Sequence, residues 1–419
     1  MNWSNDTAVR TEKGQLLPRD FRVYLGSRFC TGTAMTMMRA AIAWHVFALS
    51  HSAFHLGLIG LVQFLPALGL SLVGGAVADT YDRRRVMMLA EAIPLLCSLV
   101  LFVATTRGAA SLPLLYGMVL LVAIAAAFDN PSRAALLPTL VAREVFPKAV
   151  TVASTNQALA FVTGPTVGGF VIAEAGVGTV YAVHAGLIAA SILGLLFLRP
   201  RPQEGVRRSV SLHAIREGLS FVRRREAILG CMTLDMFAVI FGGATALLPI
   251  YANDVLHVGA RGYGLLTSSL ELGALLTSTA LILLPPITRS GRALLIAVGA
   301  YGLATVVFGL SRWFPLSVIA YMAVGVGDQV SVVMRSTIIQ LSTPDDLRGR
   351  VSSVNMIFIG ASNQLGAVES GFVAALTSAP FAVVSGGIGC LVVLAIVAAK
   401  MPKLRHHRIG MEMFEEVRG

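Results

Sequence analysis

Ionisable side chains stand inside long apolar runs at Arg39, Glu91, Asp129, Asp235, Glu271, Asp328 and Glu369. A charge at bilayer depth costs at least about 2.5 kcal/mol even on the most lenient insertion scale, so such a group is either paired or kept for a task. Burial disfavours the ionised carboxylate. An acid at this depth can therefore take up and release a proton, which is the chemistry a gradient-driven cycle needs. Glu271, set between Leu270 and Leu272 in the middle of its run, is the first candidate for proton coupling, followed by Asp235 and Asp328. Pairing within the protein accounts better for Glu91 and Asp129. Arg39 either neutralises one of these acids or meets an anionic group on a substrate. With Glu369 and the amides Asn156, Gln157, Asn363 and Gln364, it makes up a candidate substrate cavity. Hydrogen bonding from helix to helix explains the amides equally well.

Other chemistry finds little support. The chain has no HExxH, no GxSxG and no Cys/His spacing suited to a metal. None of Lys13, Lys148, Lys400 and Lys403 is followed by Ser or Thr, so there is no phosphate-binding loop to draw on ATP. The four cysteines lie apart in apolar runs and read as small core residues. No enzymatic activity, metal or cofactor is expected.

The elements that must position these groups follow from composition. Of 419 residues, 55% are hydrophobic and 13% charged, about half the usual charged share of a soluble domain. Mean hydropathy is +0.75. Such a chain belongs in a bilayer. Apolar runs of roughly 20 residues, the length a spanning helix needs, occur near residues 29–50, 56–78, 86–105, 112–128, 149–173, 177–197, 228–250, 263–284, 293–310, 316–339, 351–376 and 381–399. Among the 33 lysines and arginines, Arg39 falls inside the first run, and Arg107, Arg261 and Arg312 fall in the third, seventh and ninth connections. The others lie at the termini or in or beside even-numbered connections. This asymmetry places both termini in the cytosol of a plasma membrane. It also accounts for the net charge of +11 through topology, without nucleic acid. The polar stretch Met1–Pro18 has no apolar core ahead of a cleavage site, so no cleaved signal peptide is expected.

A constant offset of 202 residues lays Arg133 on Arg335, Glu144 on Asp346, Gly164 on Gly366, Gly169 on Gly371 and Phe170 on Phe372. A duplicated six-helix unit follows. The predicted organisation is an N-terminal bundle (1–198), a cytosolic linker (199–226), a C-terminal bundle (227–400) and a basic cytosolic tail (401–419). Within the linker, Leu212, Ile215, Leu219 and Val222 recur at helical spacing opposite Arg216, Glu217, Ser220, Arg223 and Arg224, which predicts an amphipathic helix on the membrane surface. Duplicated halves around a central site are a usual build of secondary transporters.

Gly75, Asp79, Arg83 and Arg84 punctuate a short even-numbered connection. Their types suit close helix approach and a salt-bridged latch that breaks and reforms; a simple positive stop with an incidental acid is the plainer reading. Farther along, Gly164-Pro165-Thr-Val-Gly168-Gly169 sets a proline among glycines near mid-membrane, which predicts a kinked, closely packed helix.

The first of these motifs resembles the loop 2–3 signature of the major facilitator superfamily, with Thr80 and Asp82 standing where that pattern has Arg and Gly. By that resemblance Asp79 would hold the second helix against the start of the eleventh, Gly349-Arg-Val-Ser-Ser353, whose serines are placed to cap it. The glycine-proline segment resembles the antiporter motif of the superfamily's exporters, with Ala160 in place of Gly. Phe128-Asp-Asn-Pro-Ser-Arg-Ala-Ala-Leu-Leu-Pro138 and Asp346-Leu-Arg-Gly-Arg-Val351 are similar to segments of the subfamily of enterobactin exporters, macrolide efflux proteins and drug–proton antiporters. The resemblance covers roughly residues 20 to 400. It implies an all-α membrane protein of twelve transmembrane helices in two pseudo-symmetric six-helix bundles. The expected function is export of a small organic molecule in exchange for protons, by a monomer contacting membrane lipids. A lysophospholipid flippase and a non-transporting receptor or scaffold are the rival readings.

Overall fold

The computed structural model describes residues 18–199, 212–285, 287–344 and 347–407. Helix α1 runs Arg19–Ser50, α2 Ala53–Thr80, α3 Arg83–Thr106, α4 Leu112–Leu136 and α5 Phe146–Leu196. After the linker helix α6 (Leu212–Arg224) comes α7 (Glu226–Phe241), which is prolonged by tight turns to Val255. The remaining long helices are α8 (Gly259–Leu283), α9 (Ser290–Leu310), α10 (Phe314–Leu341), α11 (Arg348–Leu376) and α12 (Ala379–Lys400). A short α13 (Pro402–His406) ends the described chain. By length and composition, eight of the described stretches are apolar enough to cross a membrane. Prolines in the first turns of α4, α5, α10 and α12 sit where a missing N–H is harmless.

The fifth and sixth spans follow one another with no intervening loop, as two helical arms joined at Gly176. The backbone stays helical through Pro165 and breaks only at Gly176, at φ 79° and ψ 167°, a region essentially reserved for glycine. The interruption falls at Gly176, between the two predicted spans 149–173 and 177–197. With α5 counted as two arms, the long helices divide six and six, as the duplicated sequence predicts. In the N-terminal bundle α1 packs chiefly on α5, and α2 and α3 on α4; in the C-terminal bundle α9 packs on α10 and α12, and α8 on α10.

The N-terminal bundle holds two separate apolar clusters. One contains Met37, Val46, Leu101, Leu115 and Tyr181; the other contains Phe21, Tyr24, Met87 and Leu195. Between them in sequence, on α1, α3 and the second arm of α5, lie Arg28, Thr31, Glu91 and Ser191, all buried. The C-terminal bundle instead has one continuous core, which takes in Val222 of α6. The linker helix is thus docked on the C-terminal bundle beside α11, with Glu217 accepting from Arg350 Nη1 at 2.6 Å. Val222 of this amphipathic helix is buried against the bundle.

Candidate functional site

The two bundles meet chiefly along two helix pairs, α2 with α11 and α5 with α8. Glycine makes both contacts possible. A Cβ on Gly57 would lie 3.0 Å from Gly371 Cα, and one on Gly60 would lie 2.9 Å from Gln364 O. One on Gly169 would lie 2.7 Å from Gly264 Cα. Each of these residues lies toward the end of its helix that carries the odd-numbered connections. Further links gather at the same end. Glu174 is ion-paired with Arg261, Tyr263 donates to Ala40 O at 3.2 Å, and Trp44 stacks on Tyr263 at 5.5 Å. Thr166 donates to Ser268 Oγ at 2.6 Å, and Ser268 lies 2.9 Å from Val162 O. The bundles are therefore closed at the odd-connection face.

Arg39 lies in the middle of α1, between the buried Met38 and Ala40, yet is itself exposed. Its charge and that of Glu271 on α8 act on each other across the two bundles, although no ion pair within 4.0 Å joins them among the described residues. Arg39 and Glu271 thus stand on opposite bundles within electrostatic reach of each other. Glu271 also feels Asp328 of α10. Glycines bring these two helices together: a Cβ on Gly325 would lie 2.8 Å from the carbonyl carbon of Leu270, and one on Gly273 would lie 3.1 Å from that of Met322.

The other predicted residues have more local attachments. Asp235 is ion-paired with Arg335 of α10, both buried inside the C-terminal bundle. It also borders a cavity of about 10 Å³ with Asp328, Tyr301 and Ser331, about the room one water needs. Asn156 donates to Leu25 O at 3.1 Å, and Asn363 to Ile359 O of its own helix at 2.9 Å. Gln157 is exposed, Gln364 is half-buried, and Glu369 accepts from Ser370 at 3.3 Å. The structure thus brings Arg39, Glu271 and Asp328 together and leaves the amides dispersed.

Arg83 and Arg84 bond within their own bundle. Arg83 donates to Ala135 O at 2.9 Å, while Arg84 donates to Leu198 O at 2.7 Å and Leu196 O at 2.8 Å. Carbonyls at a helix C-terminus lack intrahelical partners, and a cation there also suits the dipole. Asp82 caps α3, accepting from Arg84 N at 3.0 Å. Gly75 and Asp79 fall near the end of α2, where their surroundings lie outside the described residues, as does Asp346. Helix α11 begins at Arg348, ahead of the serines. Ser353 therefore sits inside the helix and returns its hydroxyl to Gly349 O at 3.0 Å, in place of the expected cap. In the glycine-proline motif, Gly164 and Gly168 admit α1, a Cβ on either lying 3.0 Å from Met37, while Gly169 admits α8.

Sequence reasoning missed the roles of Arg28 and Arg335, which it counted with the surface cations. Arg28 reaches Glu91 at 3.3 Å and Asp129 at 3.7 Å, and Arg335 holds Asp235. The signal available was the repeat itself, since Arg335 aligns with Arg133 at the end of an apolar run.

Residues 19–416 match the model of the transmembrane secretion effector family. The chain is 25% identical over 389 residues to the enterobactin exporter EntS of Escherichia coli K12, covering 93% of each chain. The enterobactin exporter of Shigella dysenteriae serotype 1 is similar to the same extent. Among solved structures it resembles the nucleoside transporter NupG (TM-score 0.74, 14% identity, 91% of this chain and 98% of that one). It also resembles a POT family transporter in complex with a thioalcohol-conjugated peptide (TM-score 0.74, 13% identity, 92% and 97%). Two glycine-seamed six-helix bundles match the fold of these solved transporters, and the chain belongs to the transmembrane secretion effector family of the major facilitator superfamily.

Proposed function

We propose that the protein is a proton-coupled exporter that moves a small, siderophore-like or drug-like organic molecule out of the cytosol by alternating access. The observation that carries this reading is the placement of Arg39 and Glu271 on opposite bundles, within electrostatic reach of each other, beside a seam that closes the odd-connection face. With both termini cytosolic, as the distribution of Lys and Arg favours, that closed face is external and the described conformation faces the cytosol. Substrate enters from the cytosol and displaces Glu271 from the influence of Arg39, which takes any anionic group the substrate carries. Rocking opens the external face, where a proton entering onto Glu271 frees the substrate. Asp328, within electrostatic reach of Glu271, is the second candidate to carry the proton, whereas Asp235, paired with Arg335, keeps α7 and α10 together through the cycle. Similarity to enterobactin exporters supports export over uptake and makes catecholates the first substrates to try.

The test follows pH inside proteoliposomes that carry the purified protein, with catecholates, macrolides and lipophilic cations added in turn. Substrate-evoked proton movement in wild type, lost in Glu271→Gln, is expected. Movement that survives the substitution would remove Glu271 as carrier. Silence with every compound would remove the antiporter reading and bring lipid flipping or a receptor role forward.

A further inference from the structure

We propose that Glu91 is a second exchangeable-proton site, enclosed in the N-terminal bundle and reporting to the central cleft along α1. This inference rests on the proton-coupled reading and adds a second carrier to it.

Glu91 is 2% exposed on α3. Its Oε1 accepts from Arg28 Nη1 at 3.3 Å and from the Thr31 hydroxyl at 2.7 Å, while Oε2 has no partner among the described residues. Asp129 of α4 approaches the same Nη1 at 3.7 Å and likewise leaves Oδ1 without a partner. One guanidinium nitrogen therefore serves two carboxylates. The next cation, Arg133, directs Nη2 to Asn130 Oδ1 at 2.5 Å. In the C-terminal bundle the corresponding arrangement is one acid to one base, Asp235 to Arg335. Two carboxylates that share one guanidinium nitrogen, with the hydrogen bond of Arg133 turned to Asn130, are costly to keep ionised together, and a proton on one removes that cost.

The hydroxyls around Glu91 tolerate both states. Thr31 Oγ1 lies 2.7 Å from Glu91 and 2.6 Å from Ser191 Oγ, which lies 2.7 Å from Ser27 Oγ. Ser27 in turn lies 3.2 Å from Ser191 O. A hydroxyl has one proton to donate. If Glu91 is ionised, Thr31 donates to it and Ser191 donates to Thr31. If Glu91 is protonated, it donates to Thr31, Thr31 to Ser191, Ser191 to Ser27 and Ser27 to the carbonyl. Every hydroxyl is satisfied either way with no heavy atom moved, so the site exchanges its proton without rearranging the bundle.

The titratable and charged groups around Glu91 are Tyr24, Arg28 and Cys30 on α1, and Asp129 and Arg133 on α4; the second arm of α5 contributes Ser191. Asp129, with its side chain 14% exposed, is the more accessible acid. Arg28 and Arg39 share α1 and lie about 16 Å apart at 1.5 Å per residue. A change of charge at Glu91 alters the electrostatic hold on Arg28 and so the charge balance along α1, the helix that also carries Arg39.

Infrared difference spectra of the full-length protein in proteoliposomes, titrated without substrate, test the site directly. A protonated-carboxyl band is expected in wild type and in Glu271→Gln, lost in Glu91→Gln and displaced in Glu91→Asp. Wild-type spectra superimposable on those of both Glu91 variants would overturn the proposal, and the Asp variant keeps the test open if Gln prevents folding. Proton movement evoked by substrate is then measured on the same vesicles. A band assigned to Glu91 in a protein silent to substrate would sink the antiporter reading while leaving the proton site. Absence of the band would sink the site whatever the transport result.

Discussion

Adding one methyl group at Gly169 tests the closed external face. A Cβ there meets Gly264 Cα at 2.7 Å and Ala260 O at 2.6 Å, both on the opposite bundle. Carbon atoms rest at about 3.5–4.0 Å, so Gly169→Ala must part α5 from α8 by about 1 Å at this seam. Overpacking on this scale costs about 1–3 kcal/mol. The gain in helix propensity on replacing glycine, about 1 kcal/mol, is common to both conformations and cancels. The seam exists only in the closed state, so the cost shifts the equilibrium roughly 5- to 150-fold toward the opposite state. Spin labels at Ala175→Cys and Asp254→Cys, exposed on either side of the seam, read the shift as growth of the long-distance population. Gly264→Ala is expected to act in the same direction, because its Cβ would lie 2.6 Å from Pro165 O. Gly186→Ala, with nothing within 4 Å, is the control. Unchanged distances in both seam variants, or an equal change in the control, would refute the reasoning.

Removing one partner of the buried Asp235–Arg335 pair, as in Asp235→Asn, is expected to cost about 3–5 kcal/mol by leaving an uncompensated charge. Thermal unfolding in detergent reads the loss, and Asp235→Leu with Arg335→Met should recover most of it. By contrast, Arg261→Gln removes an ion pair whose side chains are 56% and 60% exposed, which is worth about 0–1 kcal/mol. Label distances at the external face should move little in that variant, and less still in high salt. Arg84→Gln removes two bonds to the carbonyls that end α5. It should lower the unfolding temperature, while Arg85→Gln, at an 81% exposed side chain, should not.

Apolar length made the spans legible, and the repeat made the six-and-six division legible, because both depend on composition summed over many residues. The ends were less so. Helix α1 begins at Arg19, ten residues ahead of the predicted span, since Arg28 can enter the bundle once Glu91 and Asp129 receive it. No local pattern near Arg28 carries that information, because its partners are on other helices. Glu271 and Arg39 were visible as misplaced charges, but their mutual influence depends on how the bundles meet, which glycines on four different helices decide. Asn156, read as a ligand group, also donates one N–H to Leu25 O, a contact that only packing assigns.

Hinging two spans on the single residue Gly176 has a practical consequence. Its neighbours on the odd-connection face are nearly as short: His51–Ser52, Leu256–Val258, Ser311–Trp313 and Thr377–Ser378 join their helices with two or three residues each. An antibody or protease arriving at this face finds little to grip. Only Arg107–Ser111 offers a longer join among these connections, and an epitope tag meant to read out this face should be placed there.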